Sequence, residues 1–316
     1  MLLLVKLTFK SALRIGSGEL SQGDQIRGIV HSDQIFSAFA NEWVKIMPKG
    51  SDNSLEKIIK KLQTDSPPFK ISSAFPYYAT GYYLPTPFGT DKLYKETLKD
   101  VSFLELYDFI DLANGNRKPV EKKQLSNPLD DMLFNFNTPR VTIDRITSST
   151  NFYQGSGWLI KEGGGLYFLI DLIDESLFNS INLCLKVLEE YGIGGDKSIG
   201  YGSFTSEIKE IDGASGWKEL FQKRQSQDTC YYSLSLCCPE EEEAKRALSY
   251  ALISRKGWIM SSSSLKQMKR RECKMFAEGS LFKNPLRGVM ADVTPSEFKD
   301  HRVYRYGLGM MVEFKK

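Results

Sequence analysis

Two histidines and five cysteines are all the imidazole and thiol ligands in this chain of 316 residues, and neither set has the spacing of a site. Cys184, Cys230, Cys237, Cys238 and Cys273 are odd in number and contain no C-x-x-C pair, and His31 and His301 lie far apart. A disulfide framework and a zinc site are thereby excluded as readings, no cofactor is called for, and a reducing cytoplasm is the expected location. Long apolar runs are also missing. No uncharged stretch approaches the roughly 18 residues a membrane span requires. The opening MLLLVKLTFK places Lys6 and Lys10 inside what would be the core of an export signal, so it reads as a buried first strand. Charge of one sign is scarce too: a net charge of +3 and a pI near 8.4 do not by themselves announce a nucleic-acid partner.

What is present is a chain 41% apolar and 26% charged, enough for two ordinary cores. Its charge is unevenly distributed. Between Arg255 and Arg287 there are nine Lys or Arg residues against two Glu, while PEEEE at 239–243 concentrates acid just upstream. That contrast fits either a solvated helix start beside a solvated strand or a cationic face for a polyanion.

Residues 2–9 alternate as a strand and run into a Gly/Ser/Asp loop. In HSDQIFSAFANEWVKIM, Ser32 or Asp33 can cap a helix that carries Ile35, Phe36, Phe39, Trp43 and Met47 on one face. The aromatic segment 69–84 reads as a hairpin turning near Gly81, with Tyr77, Tyr78, Tyr82 and Tyr83 as core or interface. Residues 91–137 show mixed helical periods and no clear strand, as in an insertion. PRVTIDRIT at 139–147 and SGWLIKEGGGLYFLIDLI at 156–173 return to strand composition, the latter with a hairpin turn expected at Gly163–Gly165. A helix with Leu177, Ile181, Cys184, Leu185 and Leu188 on one stripe stops at Gly192.

The order strand, helix, hairpin, insertion, hairpin, helix, strand predicts an α+β fold. The first unit is a ferredoxin-like domain over 1–212 with an insertion at about 91–155. Residues 213–228 read as a linker and 229–316 as a second, shorter domain of the same kind. In it CYYSLSLCC is a strand, and Pro239 opens a helix carrying Ala244, Leu248, Ala251 and Leu252.

The stretch EYGIGGDKSIGYGSF, residues 190–204, has five glycines around one lysine. It is not a P-loop, because Asp196 stands before Lys197 where the motif needs glycine. It is not a dinucleotide loop either, since Lys197 occupies the third glycine position. Both of those loops run from strand to helix, so that helix N-terminal amides meet phosphate; this one runs from helix to strand. Two readings remain: a helix C-cap with tight turns, or a loop whose bare backbone approaches a polyanion, with Lys197 and Ser198 as added donors.

YGIGGDKSIGYGSF resembles the glycine-rich loop that follows the last helix of RAMP proteins, the ferredoxin-like subunits of CRISPR effector complexes. HSDQIFSAFANEW resembles their first helix, RVTIDRIT the border of a hairpin, and CKMFAEGSLF with HRVYRYGLGMMVEF the carboxy-terminal domain of the fourth-named subunit of type III-A Csm complexes, a five-group RAMP. The resemblance covers nearly the whole chain. It implies a non-catalytic clamp that holds the 5′ tag of crRNA, abuts a backbone RAMP subunit and anchors the large polymerase-like subunit. A bent, single-stranded tag would be held by backbone amides and by Arg or Lys on phosphates. The residues expected to do this are Gly194, Gly195, Lys197, Ser198 and Gly200 in the loop, with Arg14, Gly16 and Ser17 at the end of the first strand. Arg140 and Arg145 flank the insertion, and Lys269, Arg270, Arg271 and Lys274 extend the groove in the second domain. For the arginine pair, an ordinary ion pair with Asp144 is the alternative.

Some RAMP relatives cut guide precursors with a histidine, so a metal-independent endoribonuclease is the alternative function. General acid–base cleavage needs a second group beside the imidazole, and neither His31, next to a helix cap, nor His301, in KDHRVYR, has an evident one in sequence. Asp33 reads as a cap and first-turn acid, not a catalytic carboxylate. A generic protein-interaction module is the third possibility.

Overall fold

The computed structural model describes residues 1–15, 29–89, 101–116, 128–211, 216–224, 228–259 and 268–315. The first unit comprises β1 (Leu2–Phe9), α1 (Ser32–Ile46), α2 (Leu55–Leu62), β2 (Phe69–Ile71), β3 (Phe75–Tyr78), β4 (Gly81–Pro85), β5 (Phe103–Glu105), α3 (Leu106–Ala113), α4 (Pro128–Met132), β6 (Leu133–Ile143), β7 (Thr150–Ile160), β8 (Gly164–Leu172), α5 (Phe178–Tyr191) and β9 (Phe204–Glu210). Its sheet runs β5-β4-β3-β8-β1-β9, with β2 also on β8. The pairings of β1 with β8 and β9, and of β8 with β2 and β3, are antiparallel. Counting β2 and β3 as one interrupted strand, this is the order that a strand–helix–strand–strand–helix–strand chain adopts in a ferredoxin-like sheet.

The apolar stripes dictate how the layers meet. Ile35, Phe36, Phe39 and Trp43 of α1 and Ile181, Cys184, Leu185 and Leu188 of α5 are buried in one core with Leu3, Val5, Leu7, Phe168 and Ile170 of the sheet. The opposite face of the sheet packs on the second unit: Leu4, Tyr167 and Leu169 share a core with Tyr232, Leu234, Met310, Val312 and Phe314. β8, buried on both faces, is accordingly a continuous apolar run, GGLYFLIDL.

The second unit contains α6 (Gly216–Leu220), β10 (Thr229–Ser233), α7 (Glu241–Ala244), β11 (Ala247–Ser249), β12 (Leu252–Arg255), β13 (Cys273–Phe276), β14 (Leu281–Phe282), β15 (Ala291–Asp292), β16 (Tyr304–Arg305) and β17 (Met311–Lys315). Its main sheet, β11-β14-β10-β17, repeats the strand order of the first, and β12 with β13 and β15 with β16 form two small ladders. Trp217 and Leu220 of α6 are buried in the shared core.

Three expectations are corrected. The helix opening at Pro239 ends at Ala244, and Leu248, Ala251 and Leu252 lie on or beside short strands. Leu248 and Leu252 are both 44% exposed, so their helical spacing marks no buried stripe. Residues 91–137 are not strand-free: Phe103 and Leu104 of β5 are in the core, as is Phe109 of α3, whose ring meets Tyr232 at 4.8 Å. Finally, Gly163–Gly165 does not close a hairpin, because β7 pairs with β6 in unbroken register from Leu133↔Ile160 to Ile143↔Thr150 while β8 pairs with β1, β2 and β3. The ends of β7 and β8 follow each other in chain without facing each other.

Candidate nucleic-acid interface

The glycine loop is built by close backbone approach. α5 ends at Gly192 with φ +73°, and Gly194, Gly200 and Gly202 also have positive φ. The loop folds back along the continuation of β1: the Gly202 N–H donates to the Ala12 carbonyl (2.7 Å) and the Gly195 N–H to the Arg14 carbonyl (2.7 Å). A methyl group at Gly194 would run into the Arg14 carbonyl, and one at Gly202 into that of Ile193. These glycines are explained by packing against the chain.

That geometry revises which amides are free. The N–H groups of Gly195 and Gly200 are occupied, the first by Arg14 and the second by the Lys197 carbonyl (3.0 Å), as are those of Ile193, Ile199, Tyr201 and Gly202. The N–H groups of Gly194, Asp196, Lys197 and Ser198 make no hydrogen bond to described residues. The loop's open donors therefore include Lys197 and Ser198, whose one-turn 3-10 helix faces solvent, whereas the amides of Gly195 and Gly200 are taken.

Asp196, the residue that spoils the P-loop pattern, is the centre of the site. It takes the left-handed conformation (φ +57°), which short polar side chains tolerate. Its carboxylate accepts from Arg14 Nη1 (2.6 Å) and Arg140 Nη1 (3.0 Å). Hydrogen bonding from Arg14 is the main cause holding the Asp196 carboxyl below its usual range, with Arg140 adding to it against partial burial. Arg140 also donates Nη2 to the Tyr201 hydroxyl (2.9 Å), lies 5.4 Å from the centre of that ring, and Tyr201 stacks on Phe136 (6.3 Å, 29°). Two guanidiniums share one carboxylate, so the cluster keeps a surplus positive charge beside Lys197.

Arg14 thus reaches the loop as sheet topology suggests; Gly16 and Ser17 lie outside the described residues. Arg145 does not join the cluster. It sits five residues beyond Arg140, in the turn between β6 and β7, past the last strand residue, Ile143, which is itself about 10 Å along at strand rise. Asp144 is not its ion-pair partner: that carboxylate accepts from the N–H groups of Ile146 (2.8 Å) and Thr147 (2.9 Å) and thereby makes the turn.

The basic residues of the second unit have four different environments. Lys269 Nζ lies 5.5 Å from the centre of the Trp258 ring. Arg271 donates to the Asp292 carbonyl (2.9 Å) and pairs with its carboxylate. Lys274 is exposed on β13. Arg270 turns inward, toward a buried network at the start of α1. There the Asp33 carboxylate accepts from Arg255 Nε and Nη2 (both 3.0 Å) and from Arg305 Nη1. Burial pushes the Asp33 carboxyl up, but Arg255 and Arg305 outweigh it and hold it below its ordinary value. Next to it, His31 Nδ1 lies 2.9 Å from Glu278 Oε1, which also accepts from Ser73 Oγ. His301 Nδ1 is 2.9 Å from the Arg302 carbonyl. Asp33 and His31 therefore tie α1 to the second unit. A cavity lined by Ile15, Val30, Gln34 and Gly194 sets the first turn of α1 beside the glycine loop, so both cationic clusters border the same helix start.

Sequence reasoning missed Asp196, Tyr201 and the Asp33 network as site-building groups. The available signal was an aspartate among glycines, where the left-handed backbone is tolerated, and a tyrosine between Gly200 and Gly202.

The first unit has a ferredoxin-like sheet whose last helix leads into a glycine-rich loop, and the second unit repeats its strand order, as the resemblance to RAMP proteins implies. Residues 226–314 match the family model for the CRISPR Csm4 C-terminal domain. A curated relative from Methanocaldococcus jannaschii, the CRISPR system Cms protein Csm4, is 23% identical, the alignment covering 99% of this chain and 97% of the relative. The chain is thus similar to Csm4 proteins over nearly its whole length, and its last part matches their C-terminal domain. The crystal structure of a Csm3–Csm4 subcomplex in the type III-A CRISPR-Cas interference complex superposes with a TM-score of 0.69 at 20% identity, covering 99% of this chain and 100% of that one. A Csm1–Csm4 cassette gives 0.62 at 21%, covering 99% and 98%. At those identities the two structures speak for the fold. Among the described residues, no helix is long and apolar enough to cross a membrane.

Proposed function

We propose that this chain is a non-catalytic, RNA-binding structural subunit of a type III-A CRISPR interference complex. It holds the 5′ tag of crRNA between its glycine loop and the basic residues of the second unit. It sits between a backbone RAMP subunit like Csm3 and a large polymerase-like subunit like Csm1, the partners named for its structural relatives. Its two domains are 1–212 and 229–316, joined through 213–228.

The observation that carries this reading is the Asp196 cluster: Arg14 and Arg140 fixed on one carboxylate, with Lys197 and the amides of Lys197 and Ser198 beside them. Guanidiniums already oriented by a carboxylate meet a phosphate with little further loss of side-chain freedom, and adjacent open amides add neutral donors. Tyr201, Phe136 and Arg140 add flat surfaces of the kind on which unpaired bases stack.

The test is binding of a repeat-derived RNA to the purified chain over a range of salt. Intact RNA should be retained, with log K falling linearly in log salt. Lys197→Ala should reduce that slope by about 0.7, the loss of one single-strand phosphate contact, with no change in melting temperature. Salt-independent binding, or specific cleavage of the RNA that His31→Ala or His301→Ala abolishes, would overturn the reading.

A further inference from the structure

β7 carries two glycines, Gly155 and Gly157, inside an 11-residue strand, where glycine is costly. Neither has a positive φ, so no turn requires them. They stand opposite Thr138 and Phe136 of β6, and the groups lying over them explain their presence. The Arg140 side chain runs back along the hairpin from its place opposite Tyr153: a Cβ at Gly155 would come within 2.6 Å of its Nε. A Cβ at Gly157 would stand 3.0 Å from the Tyr201 ring and 3.1 Å from that of Phe136. The two glycines thus form a bare track on one face of β7, and three flat groups lie close over it.

These groups are joined to one another. Tyr201 comes from the glycine loop and stacks on Phe136 at 6.3 Å and 29°, while Arg140 donates Nη2 to the Tyr201 hydroxyl (2.9 Å) with its guanidinium 5.4 Å from the centre of that ring. Arg140 is also hydrogen-bonded to Tyr153, the residue opposite it. The layer of Phe136, Tyr201, Arg140 and Tyr153 follows one face of the hairpin for about 13 Å, the span from residue 136 to residue 140 at strand rise. It is not sealed. Tyr153 is 42% exposed, and Phe136, Arg140 and Tyr201 are half-buried. With the glycine track beneath, the accessible part of these groups is their outer side. Aromatic faces and a guanidinium fixed on Asp196, next in sequence to Lys197, have the chemistry to stack unpaired bases whose phosphates reach the glycine loop.

We infer that this layer is a stacking shelf for unpaired bases of a bound ribonucleotide strand, and that Gly155 and Gly157 are positioning residues that keep the shelf flat. The inference rests on the RNA-binding reading above and deepens it: the glycine loop takes phosphate, and this face of the hairpin takes bases. It also gives the Gly155-Ser156-Gly157 sequence of β7 a role that strand stability does not supply.

The experiment measures the affinity of the full chain for a short repeat-derived single-stranded RNA and for versions of it with the base removed at each position in turn. Removing a base that sits on the shelf should weaken wild-type binding about tenfold, the effect of one lost stack. Tyr201→Leu should weaken binding of intact RNA by a similar factor at an unchanged salt slope, and should make that base removal harmless. Tyr201→Phe keeps the ring and should stay within about twofold of wild type. The double variant Gly155→Ala with Gly157→Ala should bind intact RNA about tenfold more weakly, because its methyl groups lift the layer. It should still melt within about 2 °C of wild type, since alanine suits a strand interior better than glycine and this offsets the shift of Arg140. A glycine pair of purely structural use would move stability and not affinity. Base removal without effect at every position, additive losses from base removal and Tyr201→Leu, or a glycine double variant that binds normally overturns the inference. If any of these occurs while Lys197→Ala lowers the salt slope, the shelf is wrong and the glycine-loop interface stands. If wild type binds no RNA at all, both fall.

Discussion

At Gly202 the chain has no room for a methyl group: the backbone is left-handed (φ +75°) and a Cβ would overlap the Ile193 carbonyl. At Gly200 the backbone is equally left-handed (φ +91°), but a Cβ would meet nothing within 4 Å. The two alanine variants therefore separate conformational cost from steric cost. Gly200→Ala is expected to lose about 1 kcal/mol, the penalty of a non-glycine residue in that region. Gly202→Ala is expected to lose about 3 kcal/mol or more, because the loop must also pull away from Ile193 and then gives up the Gly202 to Ala12 hydrogen bond. Urea midpoints measure both. Equal losses at the two positions would mean that the loop relaxes freely, which would remove the argument that its backbone is held rigidly enough to present Lys197 and Ser198.

At the scale of elements, the β6–β7 hairpin stands apart. Phe134, Val141, Ile143, Ile146, Phe152 and Leu159 are all at least 46% exposed, and Ile146, in its turn, is 94% exposed. Side chains so open contribute little to folding. Replacing Ile146 with Ser and Val141 with Thr should leave stability within about 0.5 kcal/mol. The isolated chain should self-associate less in light scattering, because a long, apolar two-stranded ribbon is an association hazard. The hairpin also marks where the sequence was readable and where it was not. The stripes of α1 and α5 and the stop at Gly192 were legible because each helix buries one face against a sheet, which forces a 3.6-residue period on the sequence. The first half of β6 was not, since LFNFN is largely solvated and has no burial to impose alternation, whereas PRVTI was legible from its β-branched composition. The Leu248/Leu252 spacing misled for the converse reason: two short strands with a register shift between Ala247 and Ser249 place apolar residues at helical intervals by accident. Within the site, Arg14, Arg140 and Lys197 could be chosen by type, but Asp196 could not be given its role, because the residues it joins are 182 and 56 positions away.

At the scale of the whole molecule, the two units share cores and are joined by charges at the start of α1. Asp33, fully buried and held by Arg255 and Arg305, is the pivot of that junction. Removing its charge leaves two guanidiniums buried without compensation, so Asp33→Asn is expected to cost about 3–5 kcal/mol at pH 7, with both units unfolding at lower urea. The pH dependence has a fixed sign. The Asp33 carboxyl titrates lower in the folded chain than its ordinary value of 3.8. The folded state thus binds its proton less readily than the unfolded state, and Asp33 contributes stability that is fully present above about pH 5 and is lost as pH falls below about 4. Wild type and Asp33→Asn should differ by a constant amount between pH 5 and 8 and converge in the acid limb, which urea denaturation at several pH values would record. Glu278 adds to the same limb: burial raises its carboxyl, but His31 and Ser73 outweigh that and hold it low. Asp33→Asn should therefore reduce the acid dependence without abolishing it, and Asp33→Asn with Glu278→Gln should flatten it further. A variant as stable as wild type at pH 7 would mean that the shared apolar cores alone join the units.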